Sequence, residues 1–169
     1  LSQAPNYVPA HVMRYEILFE QGAPVDEALA PFRAAAAKAS ENIPLQTALA
    51  AALFSSGLHE ETLQRVSRLR ERDDQPALAG LHAQTWLQLR RPDEALRSLA
   101  QVPKTWLDQP RLAEALAKAL IAHQDPAKAS AVLDNALLKN PFDQALLATQ
   151  SIAWRLLDDP REHWLCDYD

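Results

Sequence analysis

Apolar side chains fall three and four residues apart along most of this chain, and prolines interrupt the pattern at regular distances. That spacing is the mark of amphipathic helices, with proline as the stop between them. The pattern is clearest over residues 110–143, PRLAEALAKALIAHQDPAKASAVLDNALLKNPFD. Leu112, Leu116 and Leu120, with Ala113 and Ala117, form one apolar stripe of helical period. Asp125-Pro126 then marks a new start, with Pro where its missing N–H costs nothing. Ala129, Val132, Leu133, Ala136 and Leu137 repeat the spacing, and Asn140-Pro141 closes the segment. The reading is helix, short turn, helix, proline stop.

The same template fits earlier stretches. The small residue early in the second helix recurs as Ala28, Thr62, Ala95 and Ala129, at intervals of 34, 33 and 34. Four residues after each comes a larger apolar side chain: Phe32, Val66, Leu99 and Leu133. The first helices supply Phe19, Leu53, Trp86 and Leu120 at matching positions, and Trp154 continues the series. Fixed periods of this length mean stacked supersecondary units, because one helix pair cannot bury its own apolar face.

These positions resemble the tetratricopeptide repeat, whose 34-residue signature is W-x2-L-G-x2-Y, then A-x3-F, then P. The matching slots hold Ala113, Leu116, Ala117, Leu120, Ala129, Leu133 and Pro141 in the best unit. The third unit has Ala79, His82, Ala83, Trp86, Ala95 and Leu99, with Leu107 in the proline slot. The second has Gln46, Leu49, Ala50, Leu53, Thr62 and Val66. The first has Val12, Tyr15, Glu16, Phe19, Ala28 and Phe32, and Glu16 in a small-residue slot marks it as a cap or a divergent repeat. The fold expected is all-α, a TPR-like α-solenoid of about four helical hairpins plus a ninth helix near 143–157 and a short C-terminal segment. The expected organisation is a solenoid over 1–157 and a strip or junction over 158–169. Pro31 lies several residues inside a second helix, where a kink or a delayed start is expected.

Composition narrows the partners. Hydrophobic residues make up 48% and charged residues 23% of the 169, an ordinary balance for a globular chain. The net charge of −5 argues against nucleic acid. The densest basic stretch, Arg65, Arg68, Arg70 and Arg72, is broken by Glu71, Asp73 and Asp74 and reads as a solvated helix face. One cysteine cannot form an internal disulfide, and no apolar run approaches the roughly 18–20 residues that span a bilayer. A cytoplasmic setting without membrane contact is therefore expected. The opening LSQAPNY lacks Met, as expected of a fragment.

No catalytic constellation stands out, and no enzyme activity, cofactor or metal is expected. His59-x-Glu61 has the spacing of a metal triad but reads better as a turn entering a helix, whose N-terminus favours Glu60 and Glu61. His82 falls in a core slot, while His11 and His123 read as surface or turn residues. The resemblance implies peptide binding along a concave groove lined by the first helices. The inner positions would be Met13, Ile17 and Glu20; Thr47, Ala51 and Phe54; and Gln84, Leu87 and Gln88. They continue with Glu114, Lys118 and Ile121, then Ile152 and Arg155. Chaperone-docking members hold a terminal carboxylate with a Lys/Asn/Arg clamp, and Met13 and Ile17 do not supply one.

The C-terminal strip departs from the repeat. His163, Cys166 and Asp167 are ligand types but too few for a closed metal site, whereas Trp164, Leu165 and Tyr168 form a docking strip. That strip would contact the solenoid end, a second copy of the chain or a following domain. Ala153 to Asp169 is similar to the junction that precedes a 2-oxoglutarate/Fe(II) oxygenase domain in bacterial TPR proteins. Two functions are thus expected: a non-catalytic scaffold for a protein or peptide, or the substrate-recruiting or structural arm of such an oxygenase. In the second case the catalytic domain would lie beyond Asp169, so that the strip is a severed junction.

Overall fold

Proline begins most of the helices in this computed structural model, which describes residues 7–158. Pro9, Pro44, Pro92, Pro110 and Pro126 each occupy the first or second helical position, where no intrahelical N–H is needed. The described residues contain nine α-helices and no strand: α1 Val8–Glu20, α2 Val25–Lys38, α3 Ile43–Ser55, α4 His59–Arg72, α5 Pro76–Gln88, α6 Pro92–Ala100, α7 Pro110–Ala122, α8 Pro126–Lys139 and α9 Gln144–Leu156. Side-chain caps reinforce three starts. Asn42, Asp125 and Asp143 accept hydrogen bonds from the backbone N–H groups of Leu45, Lys128 and Leu146. The Lys128 ammonium, together with that N–H, holds the Asp125 carboxyl below the usual carboxylate range.

The expected all-α, TPR-like fold is present. Each first helix is 13 residues long, in α1, α3, α5, α7 and α9 alike. Each ends in the same left-handed turn, at Gly22, Gly57, Arg90, Gln124 and Asp158, with φ between 54° and 78°. In the first four turns, one N–H reaches back five residues and its neighbour three, the double closure of a Schellman motif. Ala23 N–H thus bonds Leu18 O, while Gly22 N–H bonds Phe19 O. The second helices vary more. They span 14 residues in α2, α4 and α8 but 9 in α6, where Val102-Pro103 and a 3-10 turn over Lys104–Trp106 replace the last turns.

Contacts divide the chain into two compact units, Leu1–Leu78 and Ala79–Asp169. In the first, α1 pairs with α2 and α3 with α4, and α1 and α2 both pack on α3. Its core joins Tyr15, Leu29, Phe32, Leu45, Leu49 and Leu53. Two buried polar residues tie the helices together. The Tyr15 hydroxyl donates to Ala52 O at 3.2 Å and meets Ser56 Oγ at 2.8 Å. Gln46 donates to Ala36 O at 2.7 Å and accepts from Arg65 at 2.8 Å, so one amide joins α2, α3 and α4. In the second unit α7 packs on α6, α8 and α9. Ala113, Ala117, Ala129, Leu133 and Leu146 are fully covered. Gln150 donates across to Ser130 Oγ and Asp134 Oδ1, holding α9 against α8.

The small slots Ala28, Thr62, Ala95 and Ala129 and the large slots Phe32, Val66, Leu99 and Leu133 are all buried. Three expectations are corrected. Pro31 neither delays nor interrupts α2, which begins at Val25 ahead of it and continues to Lys38. The burial of Leu29, Phe32 and Ala36 around it offsets the hydrogen bond that proline cannot donate. His11 is not on the surface. It is buried with its ring stacked on Phe32 at 5.7 Å, because its side of α1 faces α2. Phe19 is 44% exposed and leans on the Tyr15 ring, because α1 runs one residue out of the expected register: Phe19 precedes Gly22 as Phe54 precedes Gly57, and Leu18 stands where Leu53 does. Glu16 is exposed by the same shift, and the buried Tyr15 takes the place that Ala50 holds in the next unit.

A Cβ added at Gly57 meets nothing within 4 Å, so the cost of a side chain there is conformational alone. Gly57→Ala should lower stability by about 1 kcal/mol, and Gly57→Asn by less, in urea denaturation of the variants against the parent chain.

Candidate functional site

A helix with one face sealed against its neighbours leaves the opposite face to solvent, and on the first helices that face carries the residues expected to meet a partner. In the first unit, Met13 on α1 is 62% exposed and Ile17 is 47% exposed. Glu20 and Ala51 are also exposed, and Thr47 and Phe54 on α3 are half-buried. Because α1 packs beside α3, these positions share one side of the unit. The Phe54 ring lies 5.3 Å from that of His59, which fixes its outer edge. The surface is apolar with one carboxylate, Glu20.

In the second unit, Gln84 and Leu87 on α5 are half-buried and Gln88 is exposed. On α7, Ile121 is half-buried and Lys118 donates to Glu114 at 2.6 Å, so their charges cancel locally. Ile152 and Arg155 on α9 are exposed, and α9 packs beside α7. None of the expected positions is sealed into a core. Trp164 and Tyr168, with His163, Cys166 and Asp167, lie outside the described residues.

Other expected chemistry resolves into structure. His59 opens α4 and its neighbour Glu61 binds Arg33 at 2.6 Å, leaving that pair to packing and an ion bridge. Burial pulls the Arg33 pKa down, but its hydrogen bonds to Asp26 and Glu61 outweigh this and hold it above its ordinary value. His82 Nδ1 meets Ser98 Oγ at 2.7 Å, and its ring stands edge-on to Trp86, over which Arg91 sits. His123 caps α7 in the open and pairs with Asp93 at 2.9 Å. Among the described residues, no three His, Cys, Asp or Glu side chains converge as a metal site, and no helix is long and apolar enough to cross a membrane.

The basic stretch on α4 differs from the solvated face expected of it. Arg70 keeps 11% of its side chain exposed and binds Asp74 at 2.7 Å, and Arg72 pairs with Glu41 across the hairpin. Arg65 is half-buried against Gln46, and Arg68 remains exposed. Together Arg65, Arg68 and Arg72 line a cavity that no spacing along α4 announces, since Ser40 and Gln46 complete it from elsewhere in the chain. Leu138 and Phe142, the latter 90% exposed, are a second feature missed; Leu138 lies off the buried stripe of α8, and Phe142 lies in the turn after it.

Solved structures share this architecture. A tetratricopeptide repeat protein from Parabacteroides merdae superposes with a TM-score of 0.71 at 15% identity, over 88% of this chain and 58% of its own. A Podospora anserina chain assigned to kinesin light chains, with nearly identical TPR-like repeats, gives a TM-score of 0.69 at 15% identity, over 94% of this chain and 90% of its own. A structure of MamA MSR-1 gives 0.64 at 14% identity, over 91% and 86%. This chain thus spans little more than half of the first structure's length and most of the other two. No family model and no curated protein matches the sequence. The fold is that of tetratricopeptide repeats.

Exposed face residues carry little of the folding energy. Ile17→Glu should therefore shift stability by no more than about 0.5 kcal/mol. Leu49→Ala, in the core of the same unit, should cost about 2–5 kcal/mol. Urea midpoints of the two variants check the contrast.

Proposed function

We propose that the chain is a non-catalytic interaction scaffold that holds a protein or peptide against the solvent-facing sides of its first helices. The observation that carries this reading is the set of apolar side chains left uncovered on the first helices, Met13, Ile17 and Ile152. The large core side chains of the second helices, Phe32, Val66, Leu99 and Leu133, are sealed. An uncovered apolar stripe with sparse charge suits an extended or helical segment that brings its own apolar anchors. The tetratricopeptide fold of the solved neighbours supports the same class of function. The single cysteine and the acidic balance fit a cytoplasmic scaffold that binds neither nucleic acid nor membrane. A docking role for Trp164 and Tyr168, toward a second copy or a downstream domain, belongs to the same proposal. The alternative, an arm of a 2-oxoglutarate/Fe(II) oxygenase, rests on the resemblance of Ala153–Asp169 alone.

The test is selection of binders from a random peptide library with the whole chain as bait. Selected peptides should lose at least about tenfold in affinity for Ile17→Glu or Ile152→Glu, while Arg97→Glu on α6 binds as the parent does. Circular dichroism checks that each variant stays folded. Peptides that bind all three variants equally would rule out the first-helix faces.

A further inference from the structure

In the first unit, α4, the start of α3 and the turn after α2 line an open cavity of about 230 Å³. Its walls carry Arg65, Arg68 and Arg72, the amides of Gln46 and Gln64, and one carboxylate, Glu61. None of the first-helix face residues lines it. In a chain of net charge −5, three guanidinium groups around one cavity are a local reversal of sign.

The carboxylates nearby do not saturate these cations. Glu61 is engaged by Arg33 at 2.6 Å and lies 3.7 Å from Arg65. Arg65 spends one donor on Gln46 Oε1, and its Nε is buried with no acceptor. Arg72 is held by Glu41 and by Ser40 O, which fixes its guanidinium at the rim and leaves further N–H donors on it. Arg68 is exposed and has no carboxylate partner among the described residues. A planar guanidinium fork pairs with two oxygens of one oxyanion, and several forks converge best on a tetrahedral group that offers oxygens in every direction. Water occupies about 30 Å³ per molecule in the liquid, so the cavity has room for such a group and part of its hydration.

We propose that this cavity is an anion site for a compact phosphoryl group, with Arg68 as its principal cation and Arg65 and Arg72 beside it. The Gln46 bridge pre-positions Arg65, and Glu41 pre-positions Arg72, so little side-chain ordering remains when the anion arrives. The group could come from free phosphate or from a phosphate monoester, and the two sources share this recognition chemistry.

Isothermal titration of the whole chain with inorganic phosphate, and separately with O-phosphoserine, tests the proposal at constant ionic strength set with chloride. Saturable binding of either is expected, the tighter of the two naming the source. Arg68→Ala should weaken it at least about tenfold with an unchanged urea midpoint, because Arg68 is exposed and supports no core contact. Arg97→Ala, which removes one positive charge outside the cavity, should bind as the parent does. Absence of saturable binding at millimolar phosphate would overturn the proposal, as would equal binding by the parent and Arg68→Ala, or an equal loss in Arg97→Ala. Salt-independent stabilisation by phosphate that persists in Arg68→Ala would likewise be general exclusion from the protein surface rather than a site.

Discussion

Two antiparallel helices approach closely only where no large side chain stands between them, and here that demand falls on one small residue per hairpin. Ala28, Thr62, Ala95 and Ala129 occupy those crossings and are buried. The larger side chains four residues on, Phe32, Val66, Leu99 and Leu133, then drop into the gap beside each crossing. Everything else follows from that contact. It decides which side of each first helix is sealed, and so which side is left to solvent.

The constraint explains how much was legible in the chain. Burial selects residues by size at fixed intervals, so the crossings, the period and the proline-marked starts could be read from residue types alone. Exceptions came where tertiary contacts outweighed a local rule. Pro31 fits inside α2 because its neighbours are core residues, and His11 is buried because Phe32 offers its ring a flat partner. Phe19 stands one residue past the slot, which Leu18 fills. The left-handed turns were half visible. Gly22 and Gly57 announce them, but Arg90, Gln124 and Asp158 adopt the same backbone without the usual residue.

The candidate sites divide in the same way. First-helix faces are periodic and so could be placed from sequence, although exposure shows where a partner could touch and not which partner. The arginine-lined cavity could not be placed, because its walls come from α3, α4 and the turn after α2, and its charge balance depends on who pairs with whom. Glu61, Glu41 and Asp74 each claim an arginine, and what they leave over gives the cavity its character. Gln46 shows the same economy of parts: a polar residue in a slot that usually takes a large ring becomes the link among three helices and the support of Arg65.

The uniform first helices and their turns also say where this protein can change length. From the first residue of each first helix to its left-handed residue the count never varies, and the paired hydrogen bonds of the turn leave no slack to absorb an extra residue. All the irregularity of the repeat, the shortened α6 and the 3-10 turn over Lys104–Trp106 included, is confined to the second helices and the return to the next hairpin. Insertions and deletions can therefore accumulate in the second helices and returns without disturbing the first helices and their turns. Length can be edited in one set of segments, and only side chains in the other.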